Sequence, residues 1–77
     1  MPTLQQLRPG MRGKIIRIDG NDVISQRLME MGLIEGDAVE VVAVAPLGDP
    51  LEVRLGSYCL SLRRSEAARV EVEMLVS

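Results

Sequence analysis

RLMEMGLIEG, Arg27 to Gly36, carries the strongest local signal in the chain. It reads as the end of a short helix passing through Gly32 into a tight turn. A residue without a β carbon takes the positive φ that closes a helix, and Leu33 beyond it can fold back onto the last helical turn. Upstream, Asp19-Gly20-Asn21-Asp22 supplies turn residues and, in Asn21 or Asp22, a side-chain acceptor for the open backbone donors of a helix start. The spacing predicts a helix over 22–31 with Ile24, Leu28 and Met31 lined up inward, while Gln26, Met29 and Glu30 turn away.

The segments on either side alternate with a period of two. Lys14 to Ile18 reads as a first strand with Ile16 and Ile18 on one face and Ile15 and Arg17 on the other. After Glu35-Gly36-Asp37, the run Ala38 to Ala45 sets Val39, Val41 and Ala43 against Glu40, Val42 and Val44, and Glu40 marks the first set as the core face. Leu51, Val53 and Leu55 alternate with Glu52 and Arg54. Tyr58, Leu60 and Leu62 alternate with Cys59 and Ser61, the two strands being joined at Gly56-Ser57. Ser65-Glu66-Ala67 suggests one helical turn before a last strand carrying Val70, Val72 and Met74 inward. Thr3 to Leu7 suggests another turn, placing Leu4 and Leu7 over one end of the core. Five short strands with an inserted helix lack the crossovers of a parallel sheet, so a small, strongly bent antiparallel barrel is the expected way to bury the apolar faces.

A chain of 77 residues, 47% hydrophobic, supports a single domain over residues 1–77. With no Phe or Trp and Tyr58 as the one aromatic residue, its core is aliphatic, which argues against modules that stack bases on aromatic platforms. The formal charge of -2 attracts neither a polyanion nor an acidic membrane globally. Arg8, Arg12, Lys14 and Arg17 nevertheless form a basic N-terminal segment. It reads as solvated surface, as a docking patch for an acidic protein, or as a nucleic-acid contact. One cysteine cannot form an internal disulfide, and no stretch has the length and apolarity of a signal peptide or membrane span, so a cytoplasmic protein without direct membrane insertion is expected.

Catalytic chemistry has little to draw on. Without His, neither the serines nor Cys59 has an imidazole base, and the carboxylates at Asp19, Asp22, Glu35 and Asp37 fall in turns. Cys59, Met29 and Met31 are soft donors, but one Cys without His is not a transition-metal set. No residue is assigned to a metal or cofactor, although carboxylates could form a weak site for a divalent ion. Cys59 itself is expected to pack against the helix or a neighbouring protein. No phosphate-binding glycine loop is present.

The strongest surface candidate is Pro46-Leu47-Gly48-Asp49-Pro50. Prolines restrict both ends and Gly48 relieves the middle, with Asp49 expected to be extended before Pro50. Leu47 is then either folded down to cap the core or held at an exposed tip with little entropy to lose on binding.

The joined motifs, with LRPGMRGKIIRIDG at Leu7 to Gly20 and RLMEMGLIEGDAVEVVAVAPLGDPLEVRLGSYCLSLRR at Arg27 to Arg64, resemble the FeoA family of the bacterial ferrous iron transport system. The resemblance runs over nearly the whole chain. It implies a mainly β, SH3-like barrel of about five antiparallel strands with an inserted short α-helix. It also implies a non-catalytic, cytosolic accessory of the FeoB transporter, whose membrane pore is joined to a GTP-binding domain. The protein would then meet the inner face of the membrane through that transporter. Residue by residue, Leu28, Met31, Gly32 and Leu33 match the helix-end motif, Pro46 to Pro50 the loop motif, and Arg63-Arg64 with Glu66-Ala67 the charged turn before the last strand. The partner-binding candidates are therefore Met29, Leu33, Pro46, Leu47, Gly48, Asp49, Pro50, Arg63 and Arg64. Self-association is open if the hydrophobic loop and an open strand edge meet their copies. The alternative function is nucleic-acid binding through the basic N-terminal segment.

Overall fold

Asp22 starts the helix as its sequence context requires. In a computed structural model of the chain, which describes residues 2–75, helix α1 spans Val23–Glu30. The Asp22 carboxylate accepts the Ser25 N–H at 3.1 Å, and the Ser25 hydroxyl accepts the Asp22 N–H at 3.1 Å. This reciprocal cap satisfies two open donors and turns Ser25 inward, so Ser25 and Leu28 form the buried line of α1 and Ile24 lies at the exposed margin.

The helix closes at Gly32, where φ is +110°. Gly32 donates to the Met29 carbonyl at 3.0 Å and Leu33 to the Leu28 carbonyl at 3.2 Å, the paired closure that a positive-φ residue permits. Leu28 and Leu33 are both fully buried in the common core. A β carbon at Gly32 would lie 1.7 Å from the Tyr58 hydroxyl, which donates to the Met31 carbonyl at 3.0 Å. Position 32 is thus closed to other residues by backbone and by neighbour.

The strands are β1 (Arg12–Ile18), β2 (Ala38–Val44), β3 (Leu51–Leu55), β4 (Tyr58–Leu62) and β5 (Val70–Leu75), in the order β4-β3-β2-β1-β5 with antiparallel pairing throughout. The sheet is not a closed barrel, which corrects the expected SH3-like closure. Edge strands β4 and β5 do not pair with each other. The outer side of β5 is instead occupied by the N-terminal segment, through a bridge between Thr3 and Glu71 and a 2.9 Å bond from the Val72 N–H to the Pro2 carbonyl.

Two bulges bend the sheet and reset its alternation. One falls between Ile15 and Arg17, the other between Val41 and Ala43. The extra residue in β1 buries both Ile15 and Ile18 and leaves Ile16 at the margin, against the expected pairing of Ile16 with Ile18. In β2 the same slip keeps Val39 and Val41 inside, exposes Ala43 and returns Val44 to the core margin. Strand β3 keeps its alternation, with Leu51, Val53 and Leu55 buried. Its partner is less regular: Leu62 is buried, Leu60 packs partly against the core, and Tyr58 is about half exposed.

A 3-10 turn at Leu4–Gln6 buries Leu4 and Leu7 over one end of the core, beside helix α2 (Arg64–Ala67) and β5. Helix α2 is tied to α1 by an ion pair between Arg27 and Glu66 and, through Arg69, by a 2.6 Å contact to Asp22. The Asp22 carboxyl is held below its ordinary range by the Arg69 hydrogen bond and then by the Ser25 N–H. At Glu66, burial pushes the carboxyl up, but the Arg63 N–H and Arg27 together outweigh it and the net displacement is downward. Among the described residues no helix is long and apolar enough to cross a membrane.

Candidate functional site

Between β2 and β3 the chain makes a tight excursion whose geometry follows from its prolines and glycine. Gly48 donates to the Ala45 carbonyl at 2.7 Å, closing a four-residue turn with Pro46 and Leu47 at its centre. Among the described residues no non-glycine residue has positive φ, so Leu47 keeps the ordinary backbone of a type I turn, and Gly48 takes φ +86° directly after it. The Ala45 N–H donates to the Pro50 carbonyl at 3.1 Å and fastens the base of the loop. The Asp49–Pro50 peptide bond is cis.

At the tip, Leu47 is 97% exposed. Of the two readings left open by the sequence, capping of the core is therefore ruled out. The loop is held from outside by α2: the Arg64 N–H donates to Asp49 Oδ1 at 3.0 Å, and the Arg64 guanidinium donates to the Gly48 carbonyl at 3.3 Å. The proline-bracketed loop and the charged turn, separate in sequence, thus form one unit. It presents an exposed apolar side chain on a turn held by hydrogen bonds at its base and from α2.

The other candidates fall elsewhere. Leu33 is fully buried and has no surface to offer a partner. Met29 is 49% exposed on α1 and lines a shallow groove with Val23 and Gln26. Arg63 is exposed at the start of α2. Two exposed apolar residues were not singled out from the sequence, Val23 and Ile34; both stand next to turn residues, where an apolar side chain has no period to give it a face. Cys59 is exposed rather than packed against the helix, which leaves the other expectation, contact with a neighbouring protein. Arg8, Arg12, Lys14 and Arg17 are all exposed, but Arg17 is engaged by Glu71 at 2.8 Å and Asp19 at 3.2 Å. The hydrogen bond and charge of Glu71 raise its pKa. Among the described residues no three His, Cys, Asp or Glu side chains form a group that could hold a metal ion.

Residues 3–74 match the FeoA domain. The chain belongs to the FeoA family. It is 42% identical over 74 residues to a Porphyromonas gingivalis protein named Fe(2+) transport protein A/Fe(2+) transporter FeoB fusion protein. The match covers 96% of this chain and only 9% of that much longer protein. Among solved structures, iron(II) transport protein A from Clostridium thermocellum superposes with a TM-score of 0.91 at 36% identity, covering 96% of this chain and 46% of that one. FeoA of Stenotrophomonas maltophilia, solved in complex with zinc, gives a TM-score of 0.77 at 36% identity, covering 95% and 91% of the two chains. This FeoA-family chain thus spans less than half of the first two of these relatives.

Proposed function

We propose that this FeoA-family protein is a non-catalytic accessory of bacterial ferrous iron uptake that docks on a FeoB-type transporter through the Pro46–Pro50 loop and the adjoining start of α2. The observation that carries the reading is Leu47, 97% exposed on a turn fixed by Arg64 and Asp49. An isolated apolar side chain on a preformed tip loses little entropy when it enters a pocket. The Porphyromonas gingivalis relative supports the choice of partner, because its name joins a transport protein A to FeoB in one polypeptide. The protein would act in the cytoplasm, at the membrane's inner face through the transporter.

Docking influences transport only if the transporter's conformations bind the protein unequally. The test is binding of the purified chain to the complete detergent-solubilised transporter, with and without guanine nucleotide. Saturable binding supports the reading, and a nucleotide-dependent affinity adds conformational coupling. Absence of binding in every nucleotide state overturns it.

The alternative, nucleic-acid binding through Arg8, Arg12, Lys14 and Arg17, would compete at Arg17 with Glu71 and Asp19. Binding of that kind would weaken steeply with added salt.

A further inference from the structure

The two edges of the sheet are treated differently. The outer side of β5 is bridged by Thr3, whereas β4 has no strand or terminal segment against its outer side among the described residues. The two-residue turn at Gly56-Ser57 makes Leu55 and Tyr58 the closing pair, with Val53 opposite Leu60 and Leu51 opposite Leu62. In such a hairpin the closing pair exchanges hydrogen bonds, and bonding then recurs at every second residue. Cys59 and Ser61 accordingly aim their N–H and C=O groups outward, and neither makes another backbone hydrogen bond among the described residues. Both side chains are exposed.

Edge strands are ordinarily protected by charge, proline or cover. This one, Tyr58-Cys59-Leu60-Ser61-Leu62, has none of the three. We propose that β4 is a homodimer edge, pairing antiparallel with β4 of a second copy about a two-fold axis at Leu60.

The axis places Cys59 opposite Ser61 of the second copy in both directions, so the four outward groups on each strand pair completely. It sets small side chains against small ones about 5 Å apart. It also carries Arg63 to the far end of the other β4, opposite Ser57. Ser57 and Tyr58 there line a groove of about 550 Å³ that also contains Asp37. The Arg63 guanidinium makes no ion pair within its own chain among the described residues, and the symmetric arrangement brings it, twice over, to the groove whose one carboxylate is Asp37. A parallel arrangement would instead bring the two Arg63 residues together. Charge complementarity and the missing edge protection both select a second copy over an unrelated strand.

Sedimentation of the full chain under reducing conditions, across a concentration series, reads this directly. The wild type is expected to pass from monomer to dimer. Cys59→Lys combined with Ser61→Lys sets like charges opposite one another and is expected to raise the dimer dissociation constant about tenfold or more. Cys59→Glu combined with Ser61→Lys sets opposite charges across the same positions and is expected to restore the dimer. On the wild type alone, amide exchange at Cys59 and Ser61 should slow as concentration rises. A wild type that stays monomeric throughout, or a dimer that the double lysine variant leaves unchanged with no added protection at Cys59 and Ser61, overturns the proposal.

Discussion

Asp49 Oδ1 accepts the Arg64 backbone N–H at 3.0 Å, across fifteen positions of sequence. The bond does two things together: it satisfies an open donor at the start of α2 and fixes the loop that displays Leu47. Asp49→Ala is expected to cost about 0.5–2 kcal/mol, as loss of a helix cap does, and to weaken transporter binding by more than that loss of stability explains. Asp49→Asn keeps an acceptor and should bind nearly as well as wild type. Chemical denaturation beside a binding titration separates the two effects.

Gly32 and Tyr58 are coupled. Gly32→Ala alone meets both the positive φ and the Tyr58 hydroxyl, and is expected to destabilise by about 1–3 kcal/mol. Tyr58→Phe loses the hydrogen bond to Met31 but removes the obstructing oxygen. The double variant should therefore be more stable than the sum of the single losses by about 0.5 kcal/mol or more, measured as a double-mutant cycle. Strict additivity would show that the close approach is of no energetic consequence.

These two relationships show what a single sequence displays and what it hides. The closure at Gly32, with Leu33 returning to Leu28, is a local motif: every participant lies within six positions, and the glycine announces it. Strand β3 was equally legible because Glu52 and Arg54 mark its outer face. The bulges were silent, since Ile15-Ile16 and Val41-Val42-Ala43-Val44 are apolar on both sides of the slip and a shift of phase leaves the pattern unchanged. Ser25 was hidden for a different reason: its polarity is satisfied by Asp22, so a residue that reads as surface is buried. Closure of the sheet was an inference from economy, and the N-terminal segment took the position on β5 that a closing strand needs. The bond from Arg64 to Asp49 is long-range, and neither motif carries a mark of the other.

Acid should weaken the contact between the two helices. The folded state lowers the pKa of Glu66 on balance, so its contribution is fully present above the ordinary glutamate pKa and is lost as pH falls through the lower folded value. At neutral pH, Glu66→Gln is expected to lower stability by about 1–3 kcal/mol, in the range for a buried hydrogen bond to a charged group. The gap between variant and wild type should narrow on acidification below the ordinary glutamate range. Thermal melts of both proteins over a pH series check the sign; a gap that widens towards acid contradicts it.

Leu28 is fully exposed to loss because it lies under both the helix closure and the sheet, with none of its surface open to solvent. Leu28→Ala is expected to cost about 2–5 kcal/mol through lost transfer energy and the cavity left behind. In a domain of this size that loss could bring the midpoint of thermal unfolding close to ambient temperature, as a melt followed by circular dichroism would show.

The docking loop is tested most directly by Leu47→Asp, titrated against the complete detergent-solubilised FeoB-type transporter alongside a thermal melt. Leu47 touches little of its own chain, so stability should stay within about 0.5 kcal/mol of wild type, while the affinity should fall about thirtyfold or more, as for the anchor of an interface. Unchanged affinity in the folded variant would contradict the assignment of the loop as the docking site, and a large drop in melting temperature would contradict the exposed position on which it rests.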